Sequence, residues 1–455
     1  MKFGFHALFI ALLTAAPLHA QGVQTAPLQL VQPQGPATPP AVITMQDALD
    51  RARKLDITYL SALADAELAR EDRIQARAAR LPSVTERTQY LGTQGNGTLP
   101  SGRFVTNDGV HVYRSWGVLT QDLSANTMLA TGYNRAQAAE ALARAKADIA
   151  QRGLDVTVTK NYYALVTGQR KYATAQQAMQ QAARFLEITQ EQERLGQVAH
   201  SDVIKAQLQY QNQKQGFDDA TLAMENARLN LAVILFPVIN ENFTVVDDLD
   251  SAQALPLFLE VQTMAEKENP DLRAANAALR QATFEVRGAR NAFLPALGIE
   301  TDYGIEANAF ALHSSVAADP EKRVLPNLGY FVTASLNIPV WDWGSLRSKL
   351  RQTEIRERQA QVLLTQAQRQ LATNLYLFYN EAVAARSAVA GTRNAADLAT
   401  ESLRLINLRY QAGESTALEV VDAQNALIQA RNAYDDAQTR YRIAIATLQT
   451  VTGGF

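Results

Sequence analysis

Two periodicities alternate along the chain. Val420, Ala423, Leu427, Ala430, Tyr434, Ala437, Tyr441, Ala444 and Leu448 follow unbroken three-four spacing, which predicts a long helix with one apolar seam. Val203, Ala206, Tyr210, Gln213, Phe217, Ala220, Met224, Ala227 and Leu231 repeat that spacing. In both runs large residues alternate mostly with alanine, so neighbouring helices can approach through the small positions. Elsewhere the period drops to two. Leu297, Ile299, Thr301, Tyr303 and Ile305 alternate with Gly298, Glu300, Asp302, Gly304 and Glu306, and Tyr330 to Val340 alternates likewise. Val84 to Leu91 and Val112 to Leu123 occupy matching places with weaker alternation. The pattern predicts four strands in two loop-joined pairs. Four strands cannot close a membrane barrel, since the smallest has eight, so several copies would have to share one.

Proline marks the boundaries. Pro100 and Pro237 bracket one proline-free block, and none follows Pro339. Both blocks are rich in good helix formers and can hold helices far longer than the usual dozen residues. The blocks also read as copies. Leu81-Pro82 matches Leu294-Pro295 at a shift of 213, while Gly196 falls on Gly413 and Phe217-Asp218-Asp219-Ala220 on Tyr434-Asp435-Asp436-Ala437 at 217. A duplicated unit of this length is not a solenoid repeat. The expected organisation is a signal peptide over 1–20, a flexible Pro/Gln-rich segment over 21–44, a first repeat over 45–240, a linker over 241–258 and a second repeat over 259–455.

Composition narrows the chemistry. There is no cysteine among 455 residues, which removes disulfides, thiolate metal sites, cysteine nucleophiles and lipid-modified cysteines. The 43 basic and 45 acidic residues balance to −2, with no electrostatic footprint for nucleic acid. Its histidines, His6, His19, His111, His200 and His313, lie too far apart to read as a zinc pair; His111 and His200 read as isolated polar residues. No nucleophile, base and orienter come together, so neither an enzyme nor a cofactor is expected. Lys2 followed by the apolar run Ala7 to Ala16 and Leu18-His19-Ala20 reads as a secretory leader. Later apolar runs are too short for a membrane helix, which leaves a β-barrel as the way to span a bilayer.

Together these segments resemble the TolC family of outer-membrane efflux and secretion channels, over roughly Met45 to Gly454. Leu81-Pro82-Ser83-Val84 and Leu294-Pro295-Ala296-Leu297 resemble the points where the family's helix becomes a barrel strand. Leu49 to Ala79 and Val261 to Ala292 resemble its entry helix, with the break at Asp56-Ile57 and Asn269-Pro270. Gly196 to Val203 and Tyr410 to Gln424 resemble its two periplasmic helix-helix turns. The resemblance implies a mainly α fold with a transmembrane β part. Three copies would form a twelve-stranded β-barrel, continued by a long periplasmic α-helical barrel built from two internal repeats per chain. It implies a passive homotrimeric exit duct in the outer membrane, reaching into the periplasm. A periplasmic adaptor (membrane fusion protein) and an inner-membrane pump or ABC exporter would engage it. It also implies site residues. Glu419 and Asp422 match entrance carboxylates, and their spacing of three places both on one helix face. Rings of such groups would favour cations and raise one another's pKa. Tyr410, Ser201 and Asp202 match closing contacts. Gly196, Gln197, Val198, Gly413 and Glu414 lie in the adaptor-docking turns. Ser415 stands where some members carry a basic residue, which leaves a salt-bridge latch there without its cation. Apart from the resemblance, Glu419 and Asp422 also read as a solvated pair at a helix start.

Tyr90, Tyr113, Trp116, Tyr303, Tyr330 and Phe331 are candidates for an aromatic belt at the lipid interfaces, with plain strand packing as the alternative. Two other architectures compete with the channel. A periplasmic helical-hairpin adaptor would carry one hairpin rather than two, and a structural coiled-coil protein would leave the period-two segments unexplained.

Overall fold

The computed structural model describes residues 40–92, 111–238, 242–251, 254–307 and 328–453. The expected leader, most of the 21–44 segment and the loops between paired strands lie outside these residues. In chain order the elements are β1 (Ala41–Ile43), α1 (Met45–Leu55), α2 (Ile57–Ala78), β2 (Ser83–Gly92), β3 (His111–Asp122), α3 (Ala125–Met128), α4 (Thr131–Arg194), α5 (His200–Leu235) and β4 (Phe243–Val245). There follow α6 (Phe258–Glu268), α7 (Pro270–Asn291), β5 (Ala296–Ala307), β6 (Leu328–Asn337), α8 (Ser345–Gln411) and α9 (Ala417–Thr452).

Paired elements have near-equal lengths. Helices α1 and α6 have 11 residues each, α2 and α7 have 22, α5 and α9 have 36, and α4 and α8 have 64 and 67. At 1.5 Å per residue the long helices run about 100 Å. Local chemistry sets the breaks. Asp56 leaves α1 in an extended conformation and its carboxylate accepts from the Tyr59 N–H at 2.7 Å, capping α2. Asn269 does the same for α7 through the Leu272 N–H at 2.8 Å, with Pro270 in the first turn, where a missing N–H costs nothing.

The seam residues face inward as their spacing predicts. Val203, Ala206, Val420, Ala423, Leu427 and Leu448 are all buried, where α4 packs on α5 and α8 on α9. The four long strands form one antiparallel sheet in the order β2-β3-β5-β6. Strand β6 stops at Asn337, short of the alternation that runs to Val340. Pro339 has no N–H to give a ladder, so pairing ends before it. Beyond it Trp341 and Trp343 stand 75% and 89% exposed, and Trp343 takes a positive φ of 57° where the chain turns into α8.

Register separates the aromatic residues. Tyr90 pairs with Tyr113 and Tyr303 with Tyr330, on the face that also carries Val84, Leu119, Ile299, Val332 and Leu336. Trp116 and Phe331 project from the opposite, polar face, so the belt candidates do not form one girdle.

The segment expected to be flexible up to Thr44 ends in a strand. Ala41–Ile43 pairs in parallel with Phe243–Val245, inside the expected linker. The α4 residue Tyr162 fastens this small sheet, donating its hydroxyl to Val246 O at 2.7 Å and Ile43 O at 3.2 Å. Burial first, and the nearby Asp248 next, push that phenol up to about 12. No helix among the described residues is long and apolar enough to cross a membrane.

Candidate functional site: the helical tip

At the end of the molecule away from the sheet, α4 turns into α5 and α8 into α9. Both turns are built alike. Gly196 (φ +73°) and Gly413 (φ +80°) take the left-handed conformation that glycine adopts without penalty. The Gln197 N–H then reaches back to Gln192 O at 2.8 Å and the Glu414 N–H to Arg409 O at 2.8 Å, closing the last turn of each long helix. Gln197, Gly413 and Glu414 are exposed and Val198 is half-buried, so the turns present polar backbone and side chains outward.

The four helices meet just above these turns. Phe185 of α4, Ala206 of α5 and Ala417 and Val420 of α9 form a buried cluster, with Ile406 and Tyr410 of α8 packed against it. The Tyr410 ring lies 5.4 Å from that of Phe185, and its hydroxyl donates to Gln192 Oε1 at 3.0 Å. This hydroxyl therefore ties the second hairpin to the first. A second tie lies deeper, where the Gln209 and Gln213 amides both donate to Asn425 Oδ1, at 3.0 and 3.1 Å.

Glu419 and Asp422 sit on the exposed side of the first turns of α9. Thr416 caps this helix, its hydroxyl accepting from the Glu419 N–H at 3.3 Å. The Glu419 carboxylate accepts from the Ser415 hydroxyl at 2.6 Å and the Thr416 hydroxyl at 3.3 Å. Those bonds, the Ser415 one foremost, hold its pKa below the ordinary glutamate value. Within one protomer the shift is thus downward, opposite in sign to the repulsion expected in a ring. Ser415, where no cation stands, instead serves as a hydrogen-bond donor to Glu419. Asp202 pairs with Lys205 at 3.2 Å, one turn along α5, and Ser201 is exposed beside it. His200 is not isolated: its Nδ1 lies 2.7 Å from Glu193 Oε1 across the turn. No cluster of metal-ligating groups occurs among the described residues.

Tyr410, Gly196, Gly413, Glu419 and Asp422 therefore converge on one tip. Gln192, Asn425 and Glu193 were not anticipated. Gln192 lies seven residues after Phe185, on the same face of α4, and that spacing is the one sequence signal for it.

Residues 261–454 match the family model described as outer membrane efflux protein. The chain is 28% identical over 191 residues to the pyoverdine export outer membrane protein OpmQ of Pseudomonas putida, covering 41% of this chain and 37% of that one. It is 24% identical over 278 residues to the outer membrane protein TolC of Escherichia coli, covering 59% of this chain and 55% of that one. The matched stretches thus span between about a third and just over half of these relatives. In fold, the solved outer membrane protein VceC of Vibrio cholerae superposes with a TM-score of 0.73 at 16% identity, over 90% of this chain and 96% of that one.

Proposed function

The chain is TolC-like, its residues 261–454 matching the outer membrane efflux protein family, and from that premise we propose that three copies form an outer-membrane exit duct. The supporting observation is the sheet. Its strands have 10 to 12 residues, the length a tilted strand needs to cross a bilayer. One face is mostly apolar and the other mostly polar, the pattern of a barrel in lipid. Edge strands β2 and β6 have 10 residues each and no outer partner among the described residues. Pairing β6 of one copy with β2 of the next is a head-to-tail contact, and such contacts close into rings. Three copies give twelve strands, above the minimum of eight.

In this reading the helices continue the barrel into the periplasm, and the tip is its entrance. The Gly196–Val198 and Gly413–Glu414 turns receive a periplasmic adaptor, which couples the duct to an inner-membrane pump or ABC exporter. Glu419 and Asp422 form rings at the narrow end, and Tyr410, Ser201 and Asp202 belong to the contacts that hold it shut. The purified protein should migrate as a trimer when unboiled and as a monomer when boiled, and should conduct ions in planar bilayers. A monomer without conductance overturns the reading.

A further inference from the structure

Strand β5 carries three carboxylates on the polar face of the sheet, and one of them has no counter-ion among the described residues. Glu300 lies 3.6 Å from Arg87 and Glu306 2.8 Å from Arg114. Asp302, between them, pairs in register with Val118 and Phe331 instead. It is 1% exposed, and neither carboxylate oxygen has a hydrogen-bond partner. Burying a carboxylate without a partner is costly, and a cation seated beside it would offset that cost.

The surroundings say which kind. Asp302 lines a cavity of about 230 Å³ together with Trp116, Glu306 and Phe331. The Trp116 and Phe331 rings meet edge to face with centroids 5.3 Å apart. A side chain at Gly304 would run into the β3 backbone, at the Ser115 carbonyl oxygen and at Trp116 Cα, so the glycine is what lets β3 and the Trp116 indole come this close to β5. Arg114 stacks on Trp116 at 5.2 Å while bonded to Glu306. That pair is neutral together, and among the described residues no ion pair reaches Asp302. Aromatic faces over a buried carboxylate attract a weakly hydrated cation through both the ring quadrupole and the charge beneath. A strongly hydrated inorganic ion gains nothing from the aromatic rings that would repay the loss of its water.

We propose that this cavity is a cation subsite in the wall of the duct and takes a small organic ammonium, with Asp302 as counter-charge and Trp116 and Phe331 as aromatic walls. Its position inside the lumen rests on the exit-duct reading. The chain has three tryptophans, so replacing Trp341 and Trp343 by Phe leaves Trp116 as the reporter. Titrating this protein in detergent with tetramethylammonium chloride, at ionic strength held constant with NaCl, should give a saturable change in Trp116 emission. Asp302→Asn keeps the side-chain shape and removes the buried charge, so it should fold, and it should weaken the midpoint by about tenfold or more. Phe331→Leu keeps the carboxylate and should weaken it severalfold. A linear response, an unchanged midpoint in Asp302→Asn, or an equal response to added Na⁺ overturns the subsite. Planar-bilayer conductance separates the two readings. A conducting trimer without the titration keeps the duct and loses the subsite; a non-conducting protein that titrates does the reverse.

Discussion

Removing the Tyr410 hydroxyl should loosen the entrance without unfolding the tip. Tyr410→Phe keeps the ring against Phe185, 5.4 Å between centroids, and deletes only the 3.0 Å bond to Gln192. Gln192 is half-buried, so its freed amide can turn to water, and the cost is that of one neutral bond, about 1 kcal/mol. If three protomers open together, three such bonds make about 3 kcal/mol per trimer, a shift of about 150-fold in the closed-to-open ratio. Single-channel open probability in planar bilayers reads that shift directly, and uptake of a bulky antibiotic by cells reads it indirectly. Gln192→Ala should have the same effect. Tyr410→Phe/Gln192→Ala should be no worse than either alone, since both remove one bond. Full additivity in the double variant, or a Tyr410→Phe channel as closed as the parent with trimer and helix content intact, would refute the clasp.

Four further outcomes follow from the charges. Glu419→Gln/Asp422→Asn should reduce cation selectivity in reversal-potential measurements, and unchanged selectivity removes the carboxylate rings. The Ser415 and Thr416 bonds favour ionised Glu419, so its contribution is present above the ordinary glutamate value and is lost only as pH falls through the lower folded value. Ser415→Ala should move the pH midpoint of selectivity upward; coincident midpoints speak against that bond. Between α4, α9 and the segment after β4, Arg170 meets Asp247 at 2.5 Å, Asp250 at 2.8 Å and Asp435 at 3.2 Å. Burial alone would lower this guanidinium, yet the hydrogen bonds to Asp247 and Asp250 hold it above its ordinary value. Arg170→Met strands three carboxylates and should cost about 3 kcal/mol, the low end for a broken buried pair because Asp250 is 69% exposed. Asp435→Asn should be neutral or stabilising at pH 7. Burial raises that carboxyl despite Arg170, so its ionised form opposes folding as pH rises above the ordinary aspartate value. Thermal unfolding in detergent compares the two, and equal losses contradict the asymmetry.

What was legible in the sequence is what repeats over short range. The three-four seam specifies α5 and α9 because each helix must bury that stripe. Gly196 and Gly413 mark the turns because few other residues take their backbone angles. Contacts between distant segments left little trace. Strands β1 and β4 have three residues each and pair across about 200 positions, too short for any alternation to register. The Tyr410–Gln192 bond joins residues 218 apart in sequence.

The sheet shows where alternation stops being informative. Parity alone divides the aromatic residues: Tyr113 and Trp116 are three apart, and Tyr330 and Phe331 adjacent, so neither pair can share a face. The belt expectation overlooked that parity, and a single girdle of all six is incompatible with it. Parity also sets Glu300, Asp302 and Glu306 on one face, but it treats them as equivalent. Register makes them different. It places Arg114 opposite Glu306, and Val118 and Phe331 opposite Asp302. A shift of two residues between β3 and β5 would preserve every inward and outward assignment, yet it would set Trp116 rather than Val118 opposite Asp302. The alternation of a strand thus fixes which side chains share the polar face of the sheet. Cross-strand register fixes which of those charges meet an opposite charge, and that is what sets Asp302 apart from Glu300 and Glu306.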